Sequence, residues 1–220
     1  MAEIIFADDT PQEMKDEVLR FASKWRPIKK TKLIEGCGIN DADYMTRANT
    51  IYGQWTCPLY QKWTAMIRRV FSSKMHNQCP TYIATQLHPD WLSFMNFRNW
   101  CLCNGWRSDY QLDKDLISNL MIYGPNTCCF IPSIVNTFIT ECGSSRGEYP
   151  IGVTKHEGKF RSQCSNPKTK KSQHLGLFET PEEAHLAWKQ KKHEHSLALA
   201  DMYPDLDPRV LHELRTRYKS

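Results

Sequence analysis

The sequence predicts an α+β protein with a helical first half, a strand–loop–strand–helix core, and a small three-stranded antiparallel sheet backed by a helix. Three observations support this order. Apolar residues recur at helical spacing before Gly105, apolar and charged residues alternate after it, and three short alternating runs then precede a capped helix. Because 40% of the 220 residues are hydrophobic, the chain can bury a core, which excludes wholesale disorder and predicts one or two domains.

Three helices are predicted in the first half, over residues 11–26, 57–74 and 89–104. Pro11 stands at the start of the first helix, and acidic residues occupy its early turns. The third helix carries a dense set of aromatic residues at helical spacing. That spacing indicates a packed core rather than a surface on which bases stack.

The period of the apolar pattern changes in the middle of the chain. Residues 110–117 alternate apolar and charged side chains, as a half-exposed strand does. Residues 121–131 contain a Gly-Pro-Asn turn followed by a second short apolar strand, and residues 132–141 return to helical spacing after a proline. The predicted order is therefore strand, loop, strand, helix.

The last third begins with a small, polar, linker-like stretch at residues 142–148. Three short antiparallel strands are predicted after it, over residues 150–156, 159–164 and 173–178. Thr180 is then an N-cap and Pro181 the first residue of a helix that runs to about residue 200. A short terminal helix is predicted around residues 209–217.

The distribution of charge says more than its total. The formal net charge is only +5, but residues 151–174 hold six lysines and arginines against one acid, Glu157. Such a block is either a solvated face or a nucleic-acid interface, and charge alone leaves both open.

The nine cysteines include no Cys-x-x-Cys pair, so structural zinc is not expected. Cys101 and Cys103 with His76 or His88 form an alternative set of zinc ligands at loose spacing, and a zinc ion there would make the chain a zinc-stapled adaptor.

The sequence has neither a basic leader at its start nor the ~20 apolar residues that span a bilayer. It is therefore expected to be cytoplasmic, without a membrane partner, and its thiols are expected to be reduced and buried.

Residues 110–136 resemble the ββα-metal core, also called the His-Me finger, of HNH endonucleases, especially the branch found in bacteriophages. The segments that carry the resemblance are 112–115 (LDKD), 123–128 (YGPNTC) and Asn136. Upstream segments that also match the branch are 38–44 (GINDADY), 57–60 (CPLY), Trp63, and the aromatic residues Trp91, Phe94, Phe97 and Trp100.

The resemblance implies a role for each motif residue. Asp113 matches the metal-binding carboxylate at the end of the first strand, and Asn136 matches the helix ligand that completes the metal site. Asn126 matches the middle asparagine that steadies the loop, and Lys114 stands where many members have the histidine general base. The implied cofactor is Mg²⁺ or Mn²⁺.

The lysine at the base position is the main departure from the family. An ordinary lysine is protonated near neutral pH and accepts no proton. Lys114 would then stabilise charge on the phosphate, or act as a base only if burial made it neutral, and Asp115 would position the water. This departure keeps open an alternative in which the same scaffold is inactive and binds DNA or blocks a host factor.

Residues 149–199 resemble the Apetala-type domain of plant ethylene-response factors, which also occurs appended to phage HNH enzymes. The residues that carry the resemblance are 149–153 (YPIGV), 159–163 (KFRSQ), 174–178 (HLGLF) and 180–188 (TPEEAHLAW). In that family the three-stranded sheet lies in the major groove and the helix packs behind it. The resemblance therefore implies that double-stranded DNA is the partner.

Alternation in the second predicted strand places Lys159 and Arg161 on the face opposite Phe160. Arg161 or Gln163 could then read guanine or adenine edges in the major groove. The residues expected to meet phosphates are Lys155, Lys159, Lys168, Lys170 and Lys171, and His174 completes the predicted DNA-binding set.

The sequence thus predicts a metal-dependent DNA endonuclease of the phage homing type, which nicks or cuts its substrate. The predicted parts are an N-terminal helical extension at 1–35, an HNH-like nuclease domain at 36–142, a linker at 143–148, an Apetala-type DNA-binding domain at 149–203 and a C-terminal helical tail at 204–220. A monomer is expected rather than an obligate oligomer, in the bacterial host cytoplasm if the chain is of phage origin. A host or phage protein partner is left undefined.

Overall fold

The computed structural model describes residues 2–27, 32–140 and 148–219. The chain divides into two compact units, Met1–Phe130 and Ile131–Ser220. The predicted α+β class is confirmed, since the described residues contain seven α-helices and four small sheets. Most of the predicted linker, 143–148, lies outside the described residues.

The helices of the first unit are α1 (Gln12–Lys24), α2 (Pro58–Phe71), α3 (Ser73–Gln78) and α4 (Phe94–Cys103). The single helix predicted over 57–74 is wrong, because Ser72 is extended, with φ −86° and ψ 116°, and separates α2 from α3. The helix predicted from residue 89 begins later. Pro89–Leu92 forms a 3-10 turn, and the Ser93 hydroxyl then accepts from the Asn96 N–H at 3.1 Å to cap α4.

Six strands are described between residues 32 and 132, and four of them lie in short pairs that the sequence did not predict. The strands β1 (Arg47–Thr50) and β2 (Gly53–Thr56) form an antiparallel hairpin, and β3 (Gln86–Leu87) pairs in parallel with β5 (Ile122–Tyr123). Each hairpin strand buries one residue, Ala48 and Trp55 respectively, so neither has the repeated alternation that indicates a strand.

The predicted strands of the strand–loop–strand–helix core are present but shorter. Strand β4 (Tyr110–Asp113) forms a two-stranded sheet with β6 (Cys129–Pro132), whose first two residues belong to the first unit. Lys62 on α2 donates from Nζ to the Tyr110 carbonyl oxygen at 2.6 Å, which holds the start of β4 against the helix.

An aromatic cluster forms the core of the first unit, as the helical spacing predicted. Phe94 lies within 5.2 Å of the Tyr60 ring and 5.6 Å of the Trp63 ring, measured between centroids. Trp63 and Trp91 are almost completely buried, and the Trp63 indole N–H donates to the Trp91 carbonyl oxygen at 2.8 Å. These rings stabilise the fold and are not available to stack on bases.

The second unit contains α5 (Ser133–Ile139), β7 (Val153–His156), β8 (Lys159–Ser165), β9 (Ser172–Phe178), α6 (Pro181–Met202) and α7 (Pro208–Thr216). The predicted three-stranded antiparallel sheet is confirmed, with the order β7-β8-β9. Helix α6 begins with the predicted cap: Thr180 Oγ1 accepts from the Glu183 N–H at 3.2 Å, and the Glu183 carboxylate accepts from the Thr180 N–H at 3.3 Å.

The sheet packs on α6 through a close approach at Gly152. This glycine has φ +82°, and a Cβ there would come within 2.1 Å of Trp188 Cδ1. Trp188 and Ala184 are buried on the facing side of α6. Only glycine both adopts this φ and leaves room for the indole ring.

The cysteine prediction is correct only in part. All eight described cysteines are free, and five are buried, but Cys79 and Cys103 are exposed and Cys37 is intermediate. Burial raises the pKa of the Cys128 thiol to about 12, so this thiol is protonated near neutral pH.

Among the helices of the described residues, none is both long enough and apolar enough to cross a bilayer.

Candidate nucleic-acid interface and strand-end site

The register of the three-stranded sheet divides its side chains between two faces. Thr154, Arg161 and Leu177 are direct cross-strand partners, so they share the face that we call the outer face. Val153 and Ser162, both buried, are partners on the inner face. Lys159 is two residues from Arg161 on β8 and therefore also belongs to the outer face.

A bulge decides where His174 lies. Ser162 pairs with Gly176 and Gln163 pairs with His174, so β9 contains one extra residue, Leu175, at this step. Strict alternation along β9 would place His174 on the same side as Gly176. The bulge instead brings His174 to the outer face beside Gln163, and His174 is exposed there.

One hydrogen bond and one ion pair hold the two cations of the outer face. Arg161 donates from Nε to Thr154 Oγ1 at 3.2 Å, and Lys159 forms an ion pair with Glu179 at 2.5 Å. Leu177, opposite Arg161, is 48% exposed and adds an apolar contact point. Thr154 and Leu177 were absent from the predicted set because only the pairing register places them beside Arg161.

The other predicted DNA-binding lysines lie apart from this face. Lys155 is the partner of Phe160, so the register places it on the side of the inner face, although it is exposed at the strand end. Lys168, Lys170 and Lys171 are exposed in the β8–β9 turn. Asn166 Oδ1 shapes this turn by accepting from the N–H groups of residues 168 and 169, at 2.9 and 3.1 Å.

The strand-end site of the first unit is centred on Asp113, the last residue of β4. Its Oδ1 accepts from the N–H groups of Asp115 and Leu116, at 3.0 and 2.7 Å. This side chain-to-backbone turn ends the strand at residue 113, and for this reason the strand predicted over 110–117 is too long. Burial raises the pKa of the Asp113 carboxyl, although the two N–H groups oppose that effect.

Lys114 is directed into the protein rather than toward solvent. Its side chain is 6% exposed, and Nζ pairs with the Asp115 carboxylate. Nζ also lies 3.9 Å from Met121 Sδ and 5.9 Å from the centre of the Tyr123 ring. Lys114 therefore holds the loop that follows β4, while Asp115 is exposed on its outer side.

The two predicted asparagines occupy different parts of the chain. Asn126 is exposed in the turn between β5 and β6, where the Thr127 hydroxyl donates to the Ile122 carbonyl oxygen at 2.7 Å. Asn136 is half-buried on α5, which belongs to the second unit, whereas Asp113 belongs to the first. The joining of Asp113 and Asn136 in one metal site therefore stays a prediction.

The chemistry of Asp113 suits a hard cation. Its Oδ2 accepts no hydrogen bond from the described residues, and a bound divalent cation would offset the burial that disfavours the ionised carboxyl. Within the described residues, no group of three or more His, Cys, Asp and Glu side chains is placed to hold a metal ion.

The loose cysteine–histidine set is not assembled in the described part of the chain. Cys101 is buried and Cys103 is exposed. The His76 ring donates from Nε2 to the Arg69 carbonyl oxygen at 2.9 Å, and His88 Nδ1 accepts from the Asp90 N–H at 3.3 Å. Each histidine ring thus uses one nitrogen within its own segment, and the described residues contain no group of three or more such side chains placed to hold a metal ion.

Comparison with known proteins finds a partial similarity. The chain is 45% identical over 49 residues to the ethylene-responsive transcription factor ERF116 of Arabidopsis thaliana. The match covers 22% of this chain and 17% of the plant protein, so the chain spans less than a fifth of that relative's length. No protein-family model matches the chain, and no solved structure matches it.

Proposed function

We propose that the chain binds double-stranded DNA through the outer face of the β7-β8-β9 sheet. The observation that carries this proposal is the arrangement of four hydrogen-bonding side chains on one side of the sheet. Alternation along β8 places Lys159, Arg161 and Gln163 there, and the β9 bulge adds His174. The partial similarity to a plant protein named as a transcription factor supports the same function.

The dimensions of the sheet suit a groove of DNA. A major groove is about 12 Å wide and accepts a narrow β-ribbon, whose outward side chains then face the base edges. Arg161 presents a guanidinium that can bind guanine O6 and N7, and the Gln163 amide can bind adenine. Lys168, Lys170 and Lys171 would meet phosphates, which gives affinity without sequence preference.

Fluorescence anisotropy with labelled duplexes at increasing salt tests the binding. Replacement of Lys168, Lys170 and Lys171 together by alanine should make the dependence of log K on log salt shallower by about 2 to 3, because each phosphate contact contributes about 0.9. A chain that binds no duplex at low salt would contradict the proposal.

We further propose that the bound DNA is hydrolysed with the help of Mg²⁺ or Mn²⁺. Asp113 would hold the cation through Oδ2, with Asn136 as the second ligand, and the cation would supply charge stabilisation at the phosphate. Asp115, exposed beside Asp113, would orient the attacking water, and Asn126 would steady the turn before β6. The open carboxylate oxygen at the end of β4 favours this activity.

A non-catalytic function is the second candidate, and the position of Lys114 favours it. The Lys114 side chain is buried and its ammonium is paired with Asp115, so it is not presented to a water or a phosphate at the surface. The same scaffold would then bind DNA, or block a host factor, without cutting.

A plasmid nicking assay with Mg²⁺ or Mn²⁺ separates the two candidates. The nuclease proposal expects cleavage that is lost in Asp113→Ala and Asn136→Ala while duplex affinity is retained. Absence of cleavage of every DNA tested, by a chain that still binds duplex, would assign the non-catalytic function. Cleavage that persists in both variants would show that these two residues are not the metal ligands.

A further inference from the structure

A groove of the second unit lies beside the β8–β9 turn. Its volume is about 590 Å³, and it runs between α5 and this turn, with Lys192 of α6 at one end. A volume of this size holds a ligand of roughly one or two nucleotides and is too small for a duplex. The groove is distinct from the outer face, because none of the outer-face residues that carry the proposed duplex binding lines it.

The lining of the groove combines apolar walls with positive charge. Ile134, Phe138 and Pro167 supply apolar surface, and Lys168 and Lys170 stand at its edge. Among the described residues that line the groove there is no aspartate or glutamate. Both edge lysines are exposed, and neither forms an ion pair with the described residues. This combination is complementary to a ligand with an anionic backbone and a flat apolar base.

Lys192 adds a cation that is fixed in place. Its Nζ donates to the Phe138 carbonyl oxygen at the end of α5, at 2.5 Å, and lies 3.8 Å from the centre of the Phe138 ring. It also lies 5.4 Å from the centre of the Tyr218 ring. Because these contacts already hold the Lys192 side chain, it loses little further freedom when a ligand arrives.

Polar groups are available in the groove as well. The exposed Thr137 faces it from α5, and Ser165 and Asn166 face it from the β8–β9 hairpin. Hydroxyl and amide groups of this kind can bind the edges of a base that is not paired in a duplex. An acidic peptide would also meet the positive edge, but it would gain little from apolar walls on both sides.

We infer that this groove binds a short unpaired stretch of DNA, one or two nucleotides long, next to the duplex held by the outer face. The inference rests on the proposed duplex binding, because Lys168 and Lys170 belong to the same hairpin as Arg161 and Gln163. An unpaired base would enter between Ile134 and Pro167, with its phosphate at the two lysines. The chain would therefore prefer a duplex with a frayed or extended end over a blunt one.

The test compares two labelled duplexes of the same sequence by fluorescence anisotropy. One is blunt, and the other carries a short single-stranded extension. The extended duplex should bind about tenfold more tightly, since it adds contacts between an unpaired base and the apolar walls of the groove. Ile134→Trp, which fills the groove without changing charge, should reduce the preference to less than about twofold and leave blunt-duplex affinity unchanged.

Two further variants guard against a folding defect. Thr137→Glu places an acid on an exposed position of the groove and should also remove the preference. Leu186→Trp adds the same bulk as Ile134→Trp at an exposed site of α6 outside the groove, and it should keep the preference. Unfolding curves measured by circular dichroism check that all three variants are folded.

The outcomes separate this inference from the function on which it rests. Equal affinity for blunt and extended duplexes overturns the groove site and leaves duplex binding standing. A preference that survives in Ile134→Trp and Thr137→Glu overturns the groove as its location. An acidic peptide that displaces the extension but not the blunt duplex would make the groove a peptide site. Failure to bind either duplex overturns the proposed function.

Discussion

The outer face of the sheet and the strand-end site both present charged residues, but they use them differently. On the outer face, Arg161 and Lys159 are held by single contacts to Thr154 and Glu179 and keep donors for a ligand. At the strand end, Asp113 caps a turn and Lys114 is buried against Asp115. Charged side chains thus point outward on the outer face, whereas at the strand end they form hydrogen bonds and an ion pair within their own loop.

The comparison shows that a binding interface and a catalytic motif place different demands on the surrounding structure. An interface needs only side chains on one face of a sheet, which the pairing register provides. A catalytic motif needs groups that remain available after the loop around them has folded. The outer face meets its requirement within one unit, whereas the strand-end motif meets it in part, through Asp113 Oδ2.

The largest expected effect concerns the support of the outer face. Gly152→Ala should destabilise the second unit by about 3 kcal/mol or more, because the added Cβ would overlap the Trp188 ring at a positive φ. Gly158→Ala is the matched control: its φ is +83° but no atom lies within 4 Å, so it should cost only about 1 kcal/mol. Urea unfolding followed by circular dichroism measures both, and equal losses would refute the role of Trp188.

The next effect concerns DNA binding by the outer face. Arg161→Ala should weaken duplex binding about tenfold to a hundredfold, since a guanidinium that binds a base edge contributes about 1–3 kcal/mol. Lys155→Ala removes the same charge from the other side of the sheet and should weaken binding only about two- to threefold. Anisotropy titrations compare them, and similar losses would mean that charge, not the face, decides affinity.

A smaller effect concerns the strand-end site. Asp113→Ala should lower the free energy of unfolding by about 1–2 kcal/mol, because two backbone N–H groups lose their acceptor. Asp113→Asn keeps an oxygen in place and should stay within about 0.5 kcal/mol of the original chain. Urea unfolding monitored by tryptophan fluorescence gives these values. Identical stability of both variants would show that the carboxylate does not support the loop.

The smallest effect concerns the inner face. The Ser162 hydroxyl is fully buried and has no hydrogen-bond partner among the described residues. Ser162→Ala should therefore stabilise the second unit by about 0.5–1 kcal/mol, by removing an unsatisfied polar group. Ser165→Ala, at an exposed position of the same strand, should change nothing measurable. A loss of stability in Ser162→Ala would indicate that the hydroxyl has a partner in the folded chain.

Much of the fold followed from local pattern. The cap at Thr180, the three antiparallel strands and the aromatic core around Trp63 and Phe94 were predicted, because each depends on residues close in sequence or on a sustained period. The β1-β2 hairpin and the break at Ser72 were not. Each strand of the hairpin buries only one residue, and the break between α2 and α3 is a single extended residue. No periodic pattern in the sequence distinguishes such short features from the residues around them.

The candidate sites show the same limit. The sequence identified Asp113 and Arg161 as charged residues of predicted strands, but it could not tell that Asp113 would close a turn on its own backbone. It also placed Lys155 among the predicted DNA-binding residues, but it could not tell that Lys155 lies opposite Phe160 in the sheet.

The sequence by itself determined the α+β class, the three-stranded sheet backed by a capped helix, and the motif residues of the proposed nuclease. Only the tertiary structure decided which side chains share a face, because one bulge on β9 moves His174 beside Gln163 and leaves Leu177 opposite Arg161. Likewise, only packing decided that Lys114 is buried. Local propensity depends on neighbours in the chain, whereas register and burial depend on residues that folding brings together.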